Sequence, residues 1–79
     1  MKEFSMFTIQ VIDHRDGKPA VYKKVGIVFE GFWRGVTKDL RTDDRGEVHF
    51  DYDNGRGKVY VDGEPRGEGY VEGRVVVYI

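Results

Sequence analysis

The chain has 79 residues, no cysteine and a formal net charge of −1, and charged residues make up 34% of it. A chain of this length is expected to form one domain, spanning residues 1–79, with no disulfide to reinforce its core. Because acidic and basic residues nearly balance, the composition excludes a protein that is basic over its whole surface, as many nucleic-acid-binding proteins are.

The first half of the chain predicts three strands. Phe4–Ile12 alternates apolar and polar residues, which is typical of a strand with one buried face. A second strand is predicted over Lys24–Glu30, and a third, with a less regular pattern, over Val36–Thr42. Two glycines, Gly31 and Gly35, bracket the residues between these strands, which predicts a loop or a bulged hairpin tip.

Turn signals divide the second half into shorter strands. Thr42–Gly46 predicts a turn, because aspartate side chains bond the backbone two residues on and Gly46 can take a positive φ. Further turns are predicted at 53–57, which contains an Asn-Gly pair, and at 63–67. The run Val75–Ile79 is apolar on both faces, which predicts either a strand buried on both sides or an edge strand that needs a partner. The strands in this half are predicted over Glu47–Tyr52, Lys58–Asp62, Tyr70–Glu72 and Arg74–Ile79.

The apolar positions that alternate along the strands are expected to form the core. They are Phe7, Ile9, Val11, Val25, Ile27, Phe29, Leu40, Val48, Phe50, Val59, Val61, Val75 and Val77. Roughly six or seven short strands with glycine-containing turns and no helical pattern predict an all-β fold. The expected form is a small antiparallel β-sandwich, and the alternative is a small OB- or SH3-like barrel.

Four segments of the chain share a pattern of turns and strands with a known family. They are a G-x-P turn at Gly17–Val21, a V-x-I strand at Val25–Phe29, a T-D-x-x-G-x-hydrophobic-x-F segment at Thr42–Phe50, and a strand at Gly57–Gly63. Together they resemble the carboxypeptidase regulatory-like, or transthyretin-like, β-sandwich domains. The chain departs from that family at Tyr22-Lys23-Lys24, where small residues are usual. The resemblance implies a Greek-key sandwich without catalytic residues, used as an accessory module of a larger protein or of a secretion or surface assembly.

The residue inventory offers little for catalysis. There is no cysteine, and Ser5 is the only serine, close to the start of the chain. A nucleophile also needs a positioned base and a group that orients that base. His14 lies in a predicted turn and His49 points outward from its strand, so both are expected to be ordinary surface histidines. No catalytic residue is predicted, and the protein is not expected to be an enzyme.

Two acidic turns are candidate calcium sites. They contain Asp43, Asp44 and Glu47 in one case, and Asp51, Asp53 and Asn54 in the other. Neither has the D-x-[DN]-x-[DN]-G spacing that wraps a calcium ion, and these residue types are common in turns for local hydrogen bonding. Two histidines far apart in sequence are too few for zinc. No metal and no cofactor are predicted.

The strongest binding hypothesis concerns the tip Phe32-Trp33-Arg34, because aromatic residues and arginine are enriched at binding hot spots. Its partner is expected to be another protein or a parent assembly, with the C-terminal strand Val75–Ile79 as a second contact. The competing interpretation is that Phe32 and Trp33 close the open end of a small core. No leader peptide or membrane-spanning run is recognised, so the location stays open, and it is cytoplasmic if the chain is complete.

The alternative function is single-stranded nucleic-acid binding on a small barrel. In that case aromatic rings stack on bases and basic side chains contact phosphates. The rings are Phe32, Trp33, Tyr60 and Tyr70, and the basic side chains are Arg34, Lys38, Arg41 and Arg45.

Overall fold

The computed structural model describes residues 6–31 and 35–79. Within those ranges the chain forms eight strands and no helix. The strands are β1 (Phe7–Asp13), β2 (Lys18–Pro19), β3 (Lys24–Phe29), β4 (Leu40–Arg41), β5 (Glu47–Phe50), β6 (Gly55–Val61), β7 (Glu64–Val71) and β8 (Gly73–Tyr78).

The strands form two sheets packed face to face. The first sheet is centred on β1, with β8 along one edge. Along the other edge, β5 pairs with the first part of β1 and β2 pairs with its end. The second sheet has the order β4-β3-β6-β7. The predicted β-sandwich is therefore confirmed, and the barrel alternative is wrong because the two sheets do not join. One pairing differs from the expected antiparallel pattern, since β8 runs parallel to β1.

The core lies between the inward faces of the two sheets, and three phenylalanines form its centre. The Phe7 and Phe50 rings stack with centroids 5.5 Å apart, and Phe29 meets Phe7 edge-on at 6.1 Å. These rings are the largest side chains of the core, and Val and Ile residues from both sheets fill the space around them.

Most of the predicted core is buried, with two exceptions. Leu40 is 37% exposed, because β4 has only two residues and forms an edge of the second sheet. Val75 is only partly buried and packs against the core from β8. Two buried hydrophobic residues are absent from the predicted core, Val71 at the end of β7 and Ala20 after β2, and two threonines, Thr37 and Thr42, are buried as well.

The predicted turn at 53–57 is wrong, since Gly55 and Gly57 belong to β6. Gly57 packs so closely on β3 that an added Cβ would lie 2.7 Å from the carbonyl oxygen of Val28. Glycine is therefore needed here for close strand packing and not for a turn. The turn predicted at 63–67 is also misplaced, since β7 begins at Glu64. The hairpin between β6 and β7 turns at Asp62 and Gly63, which have φ values of 51° and 83°.

Candidate interaction surface

The outer edge of β8 carries backbone groups that no strand of the described residues pairs. The backbone N–H of Ile79 donates to Ile12 O, and that of His14 donates to Ile79 O, both at 2.9 Å. Ile79 therefore directs its backbone groups toward β1. Because successive residues of a strand direct these groups to opposite edges, those of Arg74, Val76 and Tyr78 point away from β1. In the described part of the chain, β8 pairs only with β1.

The side chains of the same three residues lie on the outer face of the first sheet. Val76 is 41% exposed and Tyr78 is 58% exposed, whereas Val77 between them is buried. Of the two forms predicted for the C-terminal strand, the structure shows the edge strand and not the strand buried on both sides.

Arg74 lies across the outer face of the first sheet and is held by two neighbours. Its Nη2 atom donates to Glu47 Oε2 at 2.5 Å and to Gln10 Oε1 at 3.0 Å. The charge nearest the open edge is therefore already paired. Val76 and Tyr78 are left as the apolar contacts that a partner could cover.

The neighbouring edge strand β7 has the opposite character. It contains the charged residues Glu64, Arg66 and Glu68 and a proline, Pro65, and its pairing with β6 is interrupted by a bulge near Tyr60. Charges, proline and bulges are the features by which proteins prevent further strands from adding to an edge. β8 is regular, has no proline and carries one charge, so it lacks this protection.

Three potential metal ligands come together on the same outer face of the first sheet, at β5 and the turn before it. One ligand atom each from Asp43, Glu47 and His49 lies within 4.8 Å of the others. Each group also has a protein partner. Asp43 Oδ1 accepts backbone hydrogen bonds from Arg45 and Glu47, which lower the pKa of that carboxyl, and Glu47 is paired with Arg74. His49 Nδ1 lies 2.8 Å from Thr8 Oγ1. These contacts explain why the three side chains lie together: they stabilise the turn before β5 and the first sheet.

The predicted tip Phe32-Trp33-Arg34 lies outside the described residues. The side chains predicted to bind single-stranded nucleic acid are divided between the two sheets. Tyr60 and Tyr70 share the outer face of the second sheet, whereas Arg45 lies in the turn before β5 of the first sheet.

The sequence identifies this surface only in part, because the apolar run Val75–Ile79 is compatible both with an edge strand and with a strand buried on both sides. The direction in which each backbone group of β8 points cannot be predicted from the sequence, since it depends on how β8 pairs with β1.

The fold and this edge define a small β-sandwich in which β8 presents an edge that no strand of the described chain covers. Comparison with protein-family models, with curated proteins and with solved structures finds no match. Among the described residues, no helix has the length and apolar character needed to cross a membrane.

Proposed function

We propose that this domain is a non-catalytic binding or accessory module that takes an extended segment of a partner protein along β8. The observation that carries the proposal is the outward direction of the backbone groups of Arg74, Val76 and Tyr78 at an unpaired edge. In strand addition, such groups supply the main-chain hydrogen bonds, and exposed side chains give specificity.

The chemistry of the edge supports a protein partner. Val76 and Tyr78 alternate with inward-facing residues, so a bound strand could contact both without disturbing the core. The resemblance to carboxypeptidase regulatory-like domains also supports an accessory role within a larger protein. A role as an enzyme has little support, because both histidines contact groups of the fold itself: His49 contacts Thr8, and His14 Nδ1 lies 2.5 Å from Ile79 O.

The test is selection of random extended peptides on the purified domain by phage display, followed by affinity measurement on two variants. Val76→Pro removes one outward N–H without removing a bond to β1, because the N–H of that residue points away from β1. Val76→Thr keeps the N–H and a β-branched side chain, so it is the matched control.

Selected peptides should lose at least about tenfold in affinity on Val76→Pro, which corresponds to about 1.4 kcal/mol, and should retain binding to Val76→Thr. The proposal fails if no peptide is enriched, or if both variants bind as the parent does. Sedimentation of the free domain shows whether a second copy is the occupant, since pairing of two β8 edges would give a dimer.

A further inference from the structure

The turn between β2 and β3 presents a tyrosine in a strained conformation. Tyr22 has a φ of 59° and is 69% exposed. A bulky residue with positive φ is an outlier that persists only where surrounding contacts hold it. Here the N–H of Tyr22 donates to Thr42 O at 3.0 Å, and Arg41 Nη1 donates to Tyr22 O at 3.3 Å.

Arg41 is held against this tyrosine on one side only. Its guanidinium carbon lies 4.8 Å from the centroid of the Tyr22 ring, a cation–π arrangement. The stacking and the hydrogen bond to the backbone fix the plane of the guanidinium. Its other N–H groups make no hydrogen bond or ion pair in the parts of the chain that the structure describes. A planar, fixed guanidinium with free donors suits bidentate binding of a carboxylate.

A second unpaired cation lies directly beside it. Lys24 on β3 is the cross-strand partner of Arg41 on β4. Like charges directly opposite each other destabilise a sheet, and neither residue has an acidic partner among the described side chains.

Three other cations of the described chain do make ion pairs. Their ion pairs are Arg15–Asp13, Lys23–Asp62 and Arg74–Glu47. Other described cations also make no ion pair: Lys18, Lys38, Arg45, Arg56, Lys58 and Arg66. The corner differs from them because Lys24 and Arg41 are cross-strand neighbours and Arg41 is stacked on the Tyr22 ring.

We infer that Tyr22, Lys24 and Arg41, here called the Tyr22 corner, bind an acidic segment of a partner protein. A carboxylate of that segment lies between Arg41 and Lys24, and an apolar side chain next to it packs on the exposed Tyr22 and on Val21, which is also exposed. The corner is at the β4 edge of the second sheet, so it is separate from β8.

A peptide fits the corner better than a nucleic acid does. Single strands are bound along an extended basic groove with successive stacked bases. The corner has two unpaired cations, and the acidic Asp39 and Asp62 lie beside it, Asp39 lining a groove with Lys24 and Asp62 accepting from the Lys24 N–H. A short acidic segment needs no more positive charge than the corner provides.

The experiment measures fluorescence anisotropy of a labelled peptide that combines glutamates with one phenylalanine. A peptide with glutamine in place of glutamate and a short oligothymidylate are the comparison probes. The variants are Arg41→Met and Lys24→Met, which keep the aliphatic stems, and Arg66→Met on β7 is the matched control.

We expect the acidic peptide to bind and its affinity to fall with added salt. Each corner variant should weaken binding at least about fivefold, whereas Arg66→Met and Val76→Pro should bind as the parent does. Lys24→Met should also melt no lower than the parent, because it removes a like-charge contact, so lost binding in this variant cannot be attributed to unfolding. The inference is overturned if the glutamine peptide binds equally well, if the control weakens binding as much as the corner variants, or if oligothymidylate binds more tightly than the peptide.

Discussion

Thr37 and Ile27 are joined by two hydrogen bonds, each 2.9 Å long. The N–H of Ile27 donates to the side-chain Oγ1 of Thr37, and the N–H of Thr37 donates to Ile27 O. Both residues are buried. A threonine side chain thus satisfies a backbone donor of β3 at a point where no regular neighbouring strand does so.

Replacing Thr37 with valine should lower the free energy of unfolding by about 1–3 kcal/mol, because it leaves the buried N–H of Ile27 without an acceptor. Thr37→Ser keeps the hydroxyl and should cost less. Urea titration of both variants measures the difference. A loss in Thr37→Ser as large as that in Thr37→Val would contradict this expectation, because the methyl group would then contribute as much as the hydroxyl.

Local patterns predicted the elements in which one face is buried and the turn is short. Alternation placed β3 and β5 to within about two residues of their observed ends. The turn before β5 was also predicted, and Gly46 has the positive φ expected of it, 73°. An added Cβ at Gly46 would lie 2.5 Å from Val11 O, so this glycine also permits close packing on β1.

The remaining features depend on contacts between distant parts of the chain. The strand predicted over Val36–Thr42 is reduced to β4 and one isolated bridge, from Val36 to Val28, because Thr37 takes up the intervening N–H of Ile27 with its side chain. The parallel pairing of β8 with β1 and the strained φ of Tyr22 leave no local signal, since both arise from the packing of distant segments.

The core assignments predict a sharp difference between two apolar residues. Phe50→Ala should lower the free energy of unfolding by about 3–5 kcal/mol, because it leaves a cavity beside Phe7 in the centre of the sandwich. Leu40→Ala should cost much less, since Leu40 is partly exposed at the β4 edge. Chemical denaturation measures both variants, and similar losses would contradict the observed position of β4.

Asp43 should contribute to the dependence of stability on pH. Backbone N–H groups of Glu47 and Arg45 bond its carboxylate and lower its pKa below the ordinary value of 3.8. A group whose pKa is lower in the folded state stabilises the fold above its unfolded pKa, and this contribution is lost as pH falls through the folded pKa. Asp43→Ala should therefore be less stable than the parent at neutral pH, with the difference shrinking below about pH 4.

The control for this experiment is Asp44→Ala, because Asp44 is exposed and its carboxylate accepts no hydrogen bond from the described residues. Thermal melts from neutral to acid pH measure the three proteins. A constant difference between the parent and Asp43→Ala at every pH would show that Asp43 acts through the turn conformation alone. Asp13 has its own pKa lowered by Arg15, so some acid sensitivity remains in every variant.

The orientation of β8 predicts an alternating pattern of amide hydrogen exchange. The N–H groups of Val75, Val77 and Ile79 point toward β1 and should exchange slowly, whereas those of Val76 and Tyr78 point outward and should exchange fast. Val76→Pro should leave the slow set protected and cost about 1 kcal/mol or less, since it removes an N–H that bonds nothing in the described fold. Val77→Pro should remove a hydrogen bond to β1 and lower the free energy of unfolding by at least about 1–3 kcal/mol. Exchange followed by NMR on the parent and both variants checks the pattern. Slow exchange at Val76 in the isolated monomer would show that the edge is already covered, and the proposed strand addition would then have no free groups to use.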